Sequence, residues 1–148
     1  MTKARSTARL AAVQALYQHE MEATPLARLL DEFHQHRLGG EVDPEIEDAI
    51  YAQAEVAFFD DLVSGVLARR DEIDGLLAAR LAAGWSLARL DKTMLQILRA
   101  GTYELLARAD VPTGAAIAEY LDVAHAFFDA REARFVNGVL DAVAKDVR

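Results

Sequence analysis

LDKTMLQILRAGTYELLAR, from Leu90 to Arg108, is the stretch from which the fold is read. On a 3.6-residue period Leu90, Met94, Ile97, Leu98, Gly101, Leu105 and Leu106 share one broad face, with Lys92, Gln96 and Arg99 opposite. That apolar arc is wider than the ~100° stripe of an ordinary surface helix, so neighbours are expected on two sides. The segment is therefore expected to be the central element of an all-helical core. Gly101 lies inside the arc. A mid-helix glycine costs about 1 kcal/mol against alanine, and close packing of another helix is the expected compensation.

Working outward, Val111-Pro112 forbids continuation, so the central helix should stop near Asp110. Thr113 is then expected to cap a helix carrying Ile117, Leu121, Ala124 and Phe128, and a last helix should run from about Ala130 to Val147 on a core row of Val136, Leu140, Val143 and Val147. Asn137-Gly138 would signal a hairpin between alternating strands, but its flanks have helical spacing. Toward the N-terminus, Gly84 is expected to end a short helix, with Trp85 plugging the core beneath the connection and a break near Asp71 to Asp74. Asp43-Pro44 should open a long helix through Ile46, Ile50, Ala54, Ala57, Phe58, Leu62, Val66 and Leu67, after a loop from Leu38 to Val42. Thr24-Pro25 repeats that start signal for a helix to about His36. The first helix, about Thr2 to Glu22, places Leu10, Val13, Leu16, Tyr17 and Met21 on a core stripe, with Arg5 and Arg9 four apart on a neighbouring face.

Composition agrees with helix. Of the 148 residues 53% are hydrophobic, and much of that share is Ala and Leu while Val, Ile and Thr are sparse. No cysteine is present, which removes disulfides and thiolate metal sites and permits a reducing cytosol. No apolar run approaches the ~18 residues that would span a bilayer. The basic start before LAAVQALY resembles a targeting segment, but Gln14 interrupts it and its hydrophobicity is helical. A cytoplasmic location is expected. Net charge is −8, yet residues 41–74 hold eleven acids and two arginines, a net of −9. The remainder therefore nets +1, and the first nineteen residues hold three cations and no anion. A basic arm on an acidic body is compatible with RNA, though not diagnostic of it.

Catalysis finds no candidates. Gly-rich phosphate loops, GxSxG, HExxH and EF-hand patterns are all absent. His34 and His36 lie two apart, on different helix faces, and suit no helical metal site; adjacent Asp60 and Asp61 diverge by about 100°. No cofactor and no metal are expected. One constellation remains: Arg131, Arg134 and Phe135 fall at i, i+3 and i+4, two guanidiniums beside an aromatic ring. Arginine for phosphate and an aromatic for base stacking are the parts of a single-stranded RNA reader, and Lys3, Arg5 and Arg9 would extend the strip if the first and last helices are neighbours. On the residues alone the simpler reading, Phe135 in the core and the arginines solvated, is the favoured one.

ARLAAVQALYQHE near the start, LRAGTYELL in the central helix, DVP after it and ARFVNGVLD near the end occur in the order and spacing of the NusB family of bacterial antitermination factors, which the chain resembles over nearly its whole length. The resemblance implies an all-α fold of about seven helices in two small subdomains, approximately 1–83 and 84–148, within one domain, and a role without catalysis. It further implies pairing with the small-subunit ribosomal protein also called NusE, binding of the single-stranded boxA element in nascent ribosomal RNA leaders, and help to RNA polymerase in reading through terminators. Carried over residue by residue, the basic N-terminal strip falls on Lys3, Arg5 and Arg9, and the RNA-facing C-terminal segment on Arg134 and Phe135. The NusE contact falls on Tyr17, Asp91 and Met94. Ser6 and Thr7 stand where family members often carry arginine, and Met94 stands at a frequently acidic position. Fewer phosphate contacts by the chain alone are the expected consequence. Self-association as a homodimer and a purely protein-binding adaptor role stay open.

Overall fold

The structure, a computed structural model, describes residues 3–36 and 46–148; the side chains of Lys3, His36 and residues 46–55 fall outside that description. Among the described residues are seven α-helices, one 3₁₀ turn and no strand: α1 (Lys3–Glu22), α2 (Leu26–His36), α3 (Ile46–Ala68), α4 (Arg70–Ala78), the 3₁₀ turn (Leu87–Arg89), α5 (Lys92–Ala107), α6 (Thr113–Phe127) and α7 (Ala130–Val147). The all-α expectation is met. The expected loop from Leu38 to Val42 and the Asp43-Pro44 start lie outside the described residues. The chain divides into two compact units, Met1–Ser64 and Gly65–Arg148, a division that falls inside α3.

In the second unit α5 is the axis. Asp91 starts it, its carboxylate accepting from the backbone N–H of Thr93 at 2.8 Å and of Met94 at 3.2 Å. This satisfies two of the donors a helix start leaves unpaired. Every residue from Met94 to Leu105 is then buried, because α4, α6 and α7 all pack on this helix. That corrects the expected polar side: Gln96 is 1% and Arg99 7% exposed. The Arg99 guanidinium forks onto Asp74 of α4 at 2.8 and 2.9 Å, so its charge enters the core with a partner. Glu104 is buried too and accepts a 2.8 Å hydrogen bond from the Tyr120 hydroxyl of α6. At Gly101 an added Cβ would stand 2.9 and 3.0 Å from the Leu140 methyls and 3.4 Å from the Tyr120 ring. The expected close packing is there, with α6 and α7 as the neighbours.

The end of α5 is closed by the guanidinium of Arg148, which donates to the backbone carbonyls of Leu105, Arg108 and Val111 at 2.8, 2.7 and 2.6 Å. Pro112 then stands at the start of α6 with no side-chain cap, so Thr113 is its first residue and not its cap. Two further expectations are corrected before α5. The break after α3 comes at Arg69, and Asp71 and Glu72 sit in the first turn of α4, where the helix dipole favours acids. Trp85 does not plug the core: it is 56% exposed, with the Arg89 guanidinium 5.6 Å from its ring centroid. Arg89 also donates to the carbonyl of Gly84, whose φ of +88° turns the chain there. An indole held by a neighbouring cation needs no cavity beneath it.

In the first unit the buried face of α1 is made mostly of alanine (Ala4, Ala8, Ala11, Ala12 and Ala15) with Val13 and Leu16. Tyr17 and Met21, expected on the core stripe, are 40% and 55% exposed. Alanines supply enough apolar face, so the larger residues are left outside. Phe33 of α2 stacks on Phe59 of α3 with centroids 5.5 Å apart, and beside them the His34 ring hydrogen-bonds Asp60 at 2.6 Å.

Candidate nucleic-acid interface

The α7 part of the interface is set by the way the helix begins. Asp129 accepts from the Arg131 N–H at 3.1 Å, and hydrogen bonding with the Glu132 carboxyl, followed by that N–H, holds the Asp129 carboxyl below its ordinary range. An ionised cap stabilises the first turn and fixes the direction in which Arg131 leaves it. From there the helix is two-sided. Ala133, Val136, Leu140, Val143 and Ala144 are buried, while Arg131, Arg134, Phe135, Asn137 and Gly138 are exposed. Phe135 is 37% exposed and so is not a core residue. The structure thus leaves Arg131, Arg134 and Phe135 all exposed on α7.

On α1, Arg5 and Arg9 stand over the same ring: their guanidinium carbons lie 4.6 and 4.9 Å from the centroid of Phe58 in α3. Their environments differ: Arg9 is fully buried and Arg5 only partly. Sequence spacing placed them together but gave no sign that one of them would be buried. Lys3 begins α1, and its side chain lies outside the described residues.

The remaining three candidates separate by unit. Tyr17 is exposed on α1, and Met21, one turn later, adds a second exposed apolar side chain that the sequence reading had assigned to the core. The i, i+4 spacing was visible; its outward direction was not. In the second unit, Asp91 is exposed but spends one carboxylate oxygen on capping α5, and Met94 is 5% exposed. Met94 therefore supports this end of α5 from within. Among the described residues no group of histidine or carboxylate side chains could hold a metal ion, and no helix is long and apolar enough to cross a membrane.

The chain is similar to known proteins along nearly its whole length. The pattern of the NusB family matches residues 6–145. A transcription antitermination protein NusB of Novosphingobium aromaticivorans is 75% identical over 146 residues, covering 99% of this chain and 96% of that protein. Among solved structures, T. maritima NusB superposes with a TM-score of 0.80 at 31% identity, covering 99% and 94% of the two chains. A chain from a complex described as antitermination factors NusB and NusE with double-stranded RNA superposes with a TM-score of 0.76 at 25% identity, covering 99% of each. The match in fold and in residues along nearly the whole length places this chain in the NusB family, a family of transcription antitermination proteins and not of enzymes.

Proposed function

We propose that this protein binds the single-stranded boxA element of nascent ribosomal RNA leader transcripts together with ribosomal protein NusE, and so helps RNA polymerase read through terminators in the cytoplasm. The observation that carries the reading is the exposed strip of Arg131, Arg134 and Phe135 on α7. Guanidiniums supply phosphate contacts and a ring face supplies stacking, which together hold a single strand without requiring a duplex. On α1, Arg5 offers a further phosphate contact, and Arg9 occupies the other place over Phe58. The NusE contacts of this reading are Tyr17, helped by Met21, and separately Asp91 at the start of α5, with Met94 acting only from within that helix's packing. The complex of NusB and NusE with double-stranded RNA, one chain of which resembles this protein, supports joint assembly with NusE and RNA.

Binding of a labelled boxA-type single strand, measured with and without NusE over a salt series, tests this. Each phosphate contact should add about −0.7 to the slope of log K against log salt. The expected result is a slope worth several contacts, with affinity raised by NusE. Removing both guanidiniums in R131A/R134A should flatten the slope by about 1.4 while helicity is unchanged. No RNA binding in either condition, with NusE still captured, would overturn the reading in favour of a protein-binding adaptor.

A further inference from the structure

The exposed side of α7 holds two residues that the strip of Arg131, Arg134 and Phe135 does not use. Asn137 and Gly138 are both poor helix formers in the middle of an 18-residue helix. Packing does not ask for them: Asn137 is exposed, and a Cβ added at Gly138 would meet nothing within 4 Å. Next to them a groove of about 270 Å³ runs along the seam of α6 and α7, lined by Leu121, His125, Ala130, Ala133, Arg134 and Asn137. Leu121 and His125 are one turn apart on α6, and the other four follow each other along one side of α7. The floor is apolar and shallow because alanines make it, Ala133 being 4% exposed. The polar groups come from His125, Arg134 and Asn137. None of these three side chains makes a hydrogen bond or ion pair within the protein among the described residues.

We infer that this groove takes one nucleobase of the bound strand and reads its edge through Asn137 and His125. The inference rests on the proposed RNA-binding role and deepens it. At about 270 Å³ the space is at or below the small end of sites that enclose whole organic ligands, so it suits a single heterocycle. Small apolar floor residues accept a flat ring. The Asn137 carboxamide offers a donor and an acceptor side by side, matching the paired groups on a base edge, and the imidazole of His125 offers a further donor or acceptor or a stacking face. Arg134 lines the groove and also belongs to the phosphate strip, so a strand held there has its sugar-phosphate within reach of the guanidinium while one base turns inward. The bare surface at Gly138 leaves room for the strand one turn beyond Phe135. The arginine strip by itself would bind any single strand; the groove adds preference for a base.

The test uses the full chain, with NusE present, against a panel of boxA-type single strands in which each position is changed in turn. The parent protein should lose roughly tenfold in affinity at one position more than at its neighbours. Asn137→Ala should reduce that penalty to about twofold or less while leaving the salt slope intact, and His125→Ala should reduce it in part. Ala130→Leu, which fills the groove without altering any of its polar groups, should also erase the preference. If the parent discriminates and Asn137→Ala, His125→Ala and Ala130→Leu all keep the full penalty at every position, the groove is not a base site. If Asn137→Ala lowers the salt slope and leaves base preference alone, Asn137 is a phosphate contact and the inference fails. A parent protein that binds none of the strands removes the proposed function itself, a separate outcome from either of these.

Discussion

Arg9 shows how much burial changes the meaning of a residue type. An arginine four residues from Arg5 reads as a second phosphate contact, yet it is fully buried over Phe58 while Arg5 remains partly open. Arg9→Ala should therefore act on stability, costing about 2 kcal/mol through lost packing and a desolvated cation–π contact. Arg5→Ala should cost less, about 0.5–1 kcal/mol, and weaken RNA binding. Urea denaturation and RNA titration of the two variants separate these roles, and equal effects on both measurements would contradict the assignment. Two glycines can be ranked in the same way. At Gly101 the atoms facing an added Cβ are the methyl ends of Leu140 and the edge of Tyr120, whereas at Gly65 they are ring and hydroxyl atoms of Tyr103 well inside contact distance. Alanine gains about 1 kcal/mol of helix propensity at either site. Overpacking costs about 1–3 kcal/mol and should be heavier at Gly65, because a ring that is 7% exposed has little room to turn. Gly65→Ala should melt clearly below Gly101→Ala in a thermal scan; the reverse order would mean that Tyr103 moves freely.

Among the elements, α7 shows the clearest division of labour. Its buried row holds it to α5 and α6, and its open row carries the proposed interface. Its far end is tied down at two points: Arg148 to the carbonyls at the end of α5, and Asp146 to Arg80 beyond α4, whose Nε lies 2.6 Å from the carboxylate. The hydrogen bond from Arg80 holds the Asp146 carboxyl below its ordinary value of 3.8. A depressed carboxylate contributes stability that is complete above its unfolded value and disappears as pH falls through the lower folded value. The parent should accordingly lose stability below about pH 4 in part through this link, and Asp146→Asn should show a shallower acid decline while starting lower at neutral pH. Thermal midpoints of both proteins across pH 2–7 check this, parallel curves being the result that would exclude the link. The legibility of elements varied with the local signal. The start of α2 and the end of α5 are close to readable because prolines mark them, and α7 because its core row is periodic. The α3–α4 break was misplaced because acids at 71–74 look like a loop but equally suit a helix's first turn.

For the molecule as a whole, charge is segregated: the net negative balance lies in residues 41–74, and the proposed contacts come from the two ends of the chain. Such segregation lets an acidic protein hold RNA by local cations, with a strong dependence on salt. The sequence by itself determined the helical class, the central place of Leu90 to Arg108, the close approach at Gly101 and the pairing of Arg131 and Arg134 with Phe135. All of these follow from periodicity, propensity and short-range spacing, which are local. Tertiary structure alone decided which sides face water. It buried Gln96 and Arg99 on a helix surrounded by others, turned Tyr17, Met21 and Trp85 outward, buried Arg9 over Phe58, and joined His125 of α6 to Asn137 of α7 in one groove. Helical spacing tells which residues share a face. Which face is covered depends on partners far away in sequence, and only packing supplies them.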